Sequence, residues 1–305
     1  MITSFIYKTG LAVFNLLPGK KVISGILRDS GIPNRKFYKD VRFKGIFTTK
    51  LEDGTTVKVI NHGGNHENEI FWKGLAGKSC YEADSLWLWQ LLSKEAKVIV
   101  DVGANIGIYS LAAKAVNPTA KVVAFEPARR TINYLKGNIN ANGFDIITEN
   151  IALSGTQGKA TFYDTVVDHQ TSASLNPAKE KNRTSDTTGI LEYEVVVNTF
   201  DNYLKEKNIS KVDLIKIDVE MHEPEVIKGM QACLSGGLPS MIIEVLNDDM
   251  GRQVSGLLKD YGYMCFSLME YKQMKQVTVI EVTDEKWNYF FCQPQVAEKL
   301  KAYIV

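Results

Sequence analysis

Apolar and polar positions change rhythm three times along this chain. The first stretch, FIYKTGLAVFNLLPG within Met1–Ser30, is apolar but broken by Lys8, Asn15 and Pro18, which suits an amphipathic helix rather than a membrane span. From Val41 the rhythm becomes alternating. The runs VRFKGIFTTK and TTVKVI flank an acidic turn at Gly54, which predicts a β-hairpin. Between Glu82 and Ser93, Leu86, Trp89 and Leu92 return on one helical face. From Val98 onward short, continuously apolar runs take over: VIVDV, KVVAF, IITENIAL, VDLIKID and MIIEV. Runs of that kind suit strands buried on both faces, as in a parallel sheet. The segment from Pro127 to Asn140 predicts a helix between two of them. The tail reads as a helix (MGRQVSGLLKDYG), two strands (YMCFSLM and WNYFFCQ) separated by a polar stretch, and a closing helix over Gln295–Tyr303.

Composition narrows this picture without redirecting it. A chain of 305 residues, 45% hydrophobic and 23% charged, is ordinary globular material with room for one large α/β domain and an extension. A net charge of +1 gives no electrostatic case for nucleic acid. Cys80, Cys233, Cys265 and Cys292 are widely spaced, which points to buried thiols in a reducing, cytoplasmic compartment. The N-terminal stretch lacks the basic start and cleavage site of a signal peptide, so stable membrane insertion is not expected. Its helix is expected to pack on the domain or on a second copy, making a homo-oligomer through the extension. Lys20, Lys21 and Arg28 support at most loose surface attachment.

Two regions resist a regular reading. His62 and His66 stand four apart, but Gly63 and Gly64 between them predict a loop rather than a metal-binding helix face. Residues from about 165 to 190 are polar, aperiodic and long, which suits a lid. Its candidate contact residues are His169, Ser172 and Ser174.

The chemistry gathers around VIVDVGANIG. A buried strand runs into a glycine-bearing loop, and a helix then points its N-terminal amides back at that loop. Gly103 and Gly107 permit a sharp turn and close approach of a ligand. The spacing is G-x-x-x-G, not the G-x-G-x-x-G of a dinucleotide site. Asp101, two residues earlier, would repel a pyrophosphate but suits an ammonium group. Glu126 closes the second strand, where an acid accepts hydrogen bonds from ribose hydroxyls. Asn150 and Ile151, at the next strand's end, would border an adenine. Tyr81 and Glu82 are placed to fold over the cofactor loop. A nucleoside is implied, and Glu126 alone leaves the choice between S-adenosylmethionine and a nicotinamide cofactor open.

A second cluster follows the strand VDLIKID. Lys216 and Asp218 share one face, and a lysine inside a parallel strand needs a partner to offset its desolvation. Asp218, Glu220, His222 and Glu223 then fall at the strand's C-terminal end, where open α/β sheets bind ligands.

The motif DVGANIG resembles the first motif of class I S-adenosylmethionine-dependent methyltransferases. With WKG…YE, VVAFEP, NIAL, FDNYL, LIKIDVEMHE and IIEV in order over about Phe71–Leu246, the chain resembles the FkbM-type methyltransferases. Met221 stands where that family's pattern usually has Gly. The resemblance implies a Rossmann-like fold, a seven-stranded, mostly parallel sheet with helices on both faces, over residues 81–305. Residues 1–80 would add the helix and hairpin extension. It implies S-adenosylmethionine as cofactor and methyl transfer to a hydroxyl, often of a sugar in a glycan or glycosylated metabolite. Asp101, Gly103, Asn105 and Gly107 would surround the methionine part, with Glu82 nearby. Glu126 would hold the ribose, and Asn150 and Ile151 the adenine. Asp218 and Glu220 would face the methyl group, with Asp218 or His222 as the base. Lys216, Glu244 and His169 are assigned to a small-molecule or glycan acceptor. No metal ligands are assigned, although Asp218, Glu220 and Glu244 offer a divalent cation hard oxygen donors. The remaining readings are a nicotinamide-dependent oxidoreductase and a catalytically silent nucleoside-binding module.

Overall fold

The computed structural model describes residues 14, 18–30, 41–165, 174–175, 190–283 and 287–305. The apolar stretch FIYKTGLAVFNLLPG lies almost entirely outside the described residues, and the segment that follows it forms α1 (Lys20–Asp29). Ile23 and Leu27 pack on the core, while Val22 and Ile26 face outward. The alternating runs form a hairpin of β1 (Gly45–Lys50) and β2 (Thr56–Asn61), with Gly45 opposite Asn61. The HGGNHENE segment departs from the expected loop. The two glycines end at position 64, and α2 (Asn65–Lys73) begins at once. His66 therefore lies on the helix while His62 precedes it and stacks on Tyr134, so the two do not share a face.

The apolar runs build the main sheet, and the segments between them its helices. In chain order these are α3 (Leu86–Ser93), β3 (Val98–Val102), α4 (Ile108–Val116), β4 (Lys121–Phe125), α5 (Thr131–Asn142) and β5 (Ile146–Glu149). Helix α5 starts four residues after Pro127. The Glu126 carboxylate first captures the Ala128 amide at 2.8 Å and holds that segment in a turn. The run IITENIAL is not one strand. At Asn150 the side chain donates to the carbonyls of Glu126 and Pro127 (2.8 and 3.0 Å), and the chain leaves the sheet. It then forms β6 (Ala152–Leu153), which with β7 (Gly158–Thr165) and β8 (Ile190–Asn198) makes a three-stranded sheet ordered β6-β8-β7. The lid expected between β7 and β8 lies largely outside the described residues, as do His169 and Ser172.

The chain then adds α6 (Phe200–Glu206), β9 (Leu214–Ile217), α7 (Glu223–Lys228), α8 (Gln231–Gly237), β10 (Ser240–Glu244) and α9 (Asp248–Leu258). The last elements are β11 (Met264–Glu270), β12 (Gln273–Val277), β13 (Asn288–Cys292) and α10 (Pro294–Lys299). The main sheet has eight strands rather than seven, ordered β12-β11-β13-β10-β9-β3-β4-β5. The additional strand, β12, comes from the polar stretch after YMCFSLM. Met274 anchors it, fully buried within an otherwise exposed run. Strands β10, β9, β3, β4 and β5 run parallel, and β13 enters antiparallel between β10 and β11.

Helices cover both faces. One layer sets Trp89, Leu111 and Leu135 against the sheet, and shares its core with Phe43, Phe47, Val57 and Phe71 of the N-terminal region. The other sets Tyr203, Val226 and Val254 against Phe125 and Ile215. Each fully buried side chain of this size contributes about 1.5–3 kcal/mol. The hairpin is tied to α5 by polar bonds as well: Asn138 accepts from the Ile60 amide and Asn142 from the Lys58 amide (2.8 and 2.7 Å). Among the described residues no helix is long and apolar enough to cross a membrane. The parallel strands all deliver their C-terminal ends to one edge of the sheet. That edge is the site.

Candidate active site

At the β3 end of this edge the site is built from backbone. Gly103 adopts φ +83°, and a Cβ there would sit 1.8 Å from the Asp218 carbonyl oxygen, so the loop after β3 lies directly against the exit of β9. The amides of Gly103 and Ala104 donate to the Phe125 carbonyl at 3.0 and 2.9 Å. Gly107, at φ +92°, packs so closely on Leu135 that a Cβ would fall 2.3 Å from its Cδ1. As the residue capping α4, Gly107 has no side chain to accept an amide. Asp101 does this from the strand below, accepting the Ser110 amide at 3.0 Å and its hydroxyl at 2.6 Å. Asp101 is thus buried beneath the loop, and burial pushes its carboxyl up to about 6.

Glu126 caps β4 and faces the same loop. Its two oxygens accept the amides of Asn105 and Ala128, each at 2.8 Å. Burial pushes its carboxyl up to about 7, against the pull of those amides. Each carboxylate oxygen has a second lone pair, leaving acceptor capacity for a ligand. Phe125, Ile151, Leu153 and Phe162 complete an apolar pocket around it.

At the β9 and β10 end the site is built from side chains. Lys216 is 1% exposed and donates to Asp218 Oδ2 at 3.1 Å. Its ammonium also lies 5.2 Å from the centre of the Tyr109 ring. Burial works to lower its pKa, but the carboxylates of Asp218, Glu82 and Glu244 outweigh it and hold Lys216 charged. Tyr109 donates to Glu82, and its hydroxyl lies 2.7 Å from Ser85 Oγ. The carboxyls of Glu82 and Asp84 are raised by burial; that of Glu244 is raised well above its ordinary value by burial and then by Asp218. His222 Nε2 lies 2.9 Å from Ser154 Oγ, and burial keeps the imidazole's pKa below its ordinary value. Glu223 is fully buried and accepts the Val219 amide at 3.0 Å, closing the turn from below. That turn passes through two left-handed residues, Glu220 at φ +58° and Met221 at φ +73°. Such a conformation favours glycine, which explains why the related pattern has Gly at position 221.

These two halves enclose one cavity of about 460 Å³. Of the residues singled out from sequence, Glu82, Gly103, Asn105, Glu126, Ile151, Asp218, Glu220, His222 and Glu244 line it. Asp101, Gly107, Asn150 and Lys216 do not line it: the first three shape the chain, and Lys216 lies beneath Asp218. Ser174 is buried and donates to the Glu220 carbonyl at 2.7 Å. His169 lies outside the described residues. Sequence reasoning passed over Asp84, Tyr109, Phe162, Trp287 and Asn288, all of which line the cavity. The signal available for Asp84 was its place two residues after Glu82. Trp287 and Asn288 were visible only as the start of the last strand.

The wall has a one-sided charge. Glu69, Glu82, Asp84, Glu126, Asp218, Glu220 and Glu244 line it, and no Lys or Arg does among the described residues. Such a cavity suits a ligand carrying positive charge and hydroxyl donors, and opposes a pyrophosphate. No group of three or more His, Cys, Asp or Glu side chains among the described residues stands ready to hold a metal ion.

The profile of the methyltransferase FkbM domain matches residues 101–265, more than half of the chain. The chain belongs to the FkbM methyltransferase family. Among its relatives, the 31-O-demethyl-FK506 methyltransferase FkbM of Streptomyces tacrolimicus is 27% identical over 241 residues, spanning 71% of this chain and 88% of the relative. The methyltransferase sdnD of Sordaria araneosa is 27% identical over 65% of this chain and 82% of its own. The hexuronic acid methyltransferase AglP of Haloferax volcanii is 26% identical over 59% and 68%. A crystal structure of methyltransferase FkbM from Methylobacillus flagellatus superposes with a TM-score of 0.39 at 15% identity, covering 65% of this chain and 43% of that one. This FkbM-family protein is therefore a methyltransferase of the S-adenosylmethionine-dependent type, and its strand order is the α/β arrangement expected of one.

Proposed function

We propose that the enzyme transfers a methyl group from S-adenosylmethionine to a hydroxyl of a sugar, free or within a glycan or glycosylated metabolite. The observation that carries this reading is the carboxyl-lined cavity, with no Lys or Arg on its wall among the described residues and an apolar pocket at the Glu126 end. The cofactor brings an activated methyl on a sulfonium, together with an ammonium group, and both cationic centres suit this wall. Glu126 would accept the ribose hydroxyls, with Phe125 and Ile151 against the base and the backbone of residues 103–105 beside the methionine part. Names among the relatives support a hydroxyl or sugar acceptor: one is a 31-O-demethyl-FK506 methyltransferase and another a hexuronic acid methyltransferase.

The chain's own part is to align the acceptor oxygen and take its proton, since the methyl already carries its activation. Asp218 stands at the junction of the two halves, oriented by Lys216, and is the base in this reading. His222 is the second candidate, because burial favours the neutral form of its imidazole, which can accept a proton. Calorimetric titration with S-adenosylmethionine, S-adenosylhomocysteine and NADH, followed by radiolabelled methyl transfer to a sugar panel, tests the reading. Micromolar binding of the first two with label appearing on a sugar is expected. Binding of NADH alone would overturn it in favour of hydride chemistry.

A further inference from the structure

The cavity continues beyond Asp218 into a wall that the methyl-transfer chemistry does not use. We propose that Trp287, Asn288 and Asp84 form the acceptor subsite, and that it takes the ring of a neutral polyhydroxylated acceptor and rejects a sugar acid. This rests on the methyl-transfer reading above.

Position comes first. Along the sheet edge the strands run β4, β3, β9, β10, β13, carrying Glu126, Gly103, Asp218, Glu244 and Asn288 in that order. Neighbouring strands lie about 4.8 Å apart, so the Glu126 and Asn288 ends are separated by roughly 19 Å. With the nucleoside at Glu126 and the transferring methyl near Asp218, the acceptor must lie over β10 and β13. Glu244 and Asn288 are direct partners across that pair.

Asn288 supplies the second observation. It is 6% exposed, and its Nδ2 donates to Asp84 Oδ2 at 3.3 Å. The carboxylate fixes which way the amide faces, because the reverse orientation would set oxygen against oxygen. The amide oxygen is then buried in the cavity wall with no donor. Buried acceptors are nearly always satisfied, so this one points to an O–H brought by a ligand. Asp84 and Glu244 beside it likewise take hydroxyl hydrogens.

Trp287 supplies the platform. It is 44% exposed at the rim of the cavity, and its carbonyl accepts the Val245 amide at 2.7 Å, which pins the backbone to the end of β10. The negative face of an indole suits the slightly positive C–H face of a sugar ring. An aromatic plane beside a row of acceptors is matched by an apolar ring edged with hydroxyls. A hexuronate would bring its carboxylate beside Asp218 into an acid-lined, partly desolvated wall with no cation on it among the described residues. Specificity would thus differ from that named for the Haloferax relative.

The test uses the whole protein saturated with S-adenosylhomocysteine, with methyl pyranosides of glucose, galactose and mannose as neutral probes and methyl glucuronide as the acidic one. Saturation-transfer NMR and calorimetry at millimolar probe concentration read binding. At least one neutral pyranoside should receive saturation on its ring C–H protons, and methyl glucuronide should bind at least tenfold more weakly. Trp287→Ala should lose at least tenfold in pyranoside affinity and Trp287→Phe much less, with S-adenosylhomocysteine affinity within twofold in both. Glucuronide binding as tight as the neutral probes, an indifferent Trp287→Ala, or no pyranoside binding by the cofactor-loaded protein would each overturn the subsite. Failure to bind S-adenosylhomocysteine at all would remove the methyl-transfer reading beneath it.

Discussion

The two ends of the cavity are made differently. At the β3–β4 end the ligand surface is mainly backbone and glycine, and the carboxyl there, Glu126, is already held by two amides. At the β9–β10–β13 end it is side chains: Asp218 over Lys216, Glu82 on Tyr109, and Asn288 on Asp84. A backbone-built surface fixes one ligand shape and tolerates little change. A side-chain-built surface can be revised residue by residue without moving a strand. The first suits a constant cofactor and the second a varying acceptor.

Changes confined to one end should therefore leave the other intact. The largest effect is expected from Asp218→Asn, which keeps a partner for Lys216 but removes the base. Turnover should fall by about 10²–10⁴-fold while S-adenosylmethionine affinity stays within a few-fold, read by radiolabel transfer and calorimetry. Loss of cofactor affinity in parallel would mean that the two ends are not separable. The companion variant His222→Asn should cost less than tenfold in turnover; a larger fall would move the base to His222.

Gly103→Ala should act from the other end. Its Cβ would meet the Asp218 carbonyl oxygen at 1.8 Å on a left-handed residue. Overpacking of this kind costs about 1–3 kcal/mol and the conformation a further ~1–2 kcal/mol. Cofactor affinity and melting temperature should both drop, with no variant of an acceptor residue reproducing the drop.

Glu126→Gln should weaken cofactor binding by the worth of hydrogen bonds to a charged group, about 1.5–3 kcal/mol. It should also abolish a pH dependence. Burial raises the Glu126 carboxyl to about 7 from its ordinary value of 4.5. The ligand-free protein therefore keeps that proton, and gains most stability from it below about pH 4.5. The gain is lost as pH rises through 7. Ribose hydroxyls donate to the ionised form, so affinity should climb from pH 5.5 to 8 in the native protein and stay flat in Glu126→Gln. A calorimetric pH series decides it. The smallest effect is expected from Met221→Gly, which relieves a left-handed residue but removes partly buried apolar contact. Stability should change by no more than about 1 kcal/mol and turnover by less than twofold.

The same contrast governs what could be read from the chain alone. Gly103, Glu126 and Asp218 were legible because each follows immediately on a buried apolar run, and strand ends in a parallel sheet meet at one edge whatever the remaining details. The parallel strands and the helices on both faces were legible for the same reason. The Asp84–Asn288 bond was not, since those residues lie 204 positions apart and neither stands in a recognisable pattern. Asp101 illustrates a subtler limit. Its position beside the loop follows from the strand that carries it, but whether its carboxylate faces the ligand or the helix depends on Ser110, a partner that periodicity does not announce. Strand β12 escaped because a single buried methionine anchors it, and the split of IITENIAL because an asparagine side chain, not a proline or glycine, diverts the backbone.

The placement of β13 between β10 and β11 has a consequence for how the molecule is made. During synthesis β10 emerges with one edge paired to β9 and the other bare, and that bare edge carries the run Met241–Val245. Its proper partner, residues 288–292, leaves the ribosome more than forty positions later. An unpaired apolar strand edge is a template for pairing with another chain. The nascent protein must therefore pass through an interval in which an apolar strand edge is open. Chains cut short within that interval should be those that depend most on chaperones.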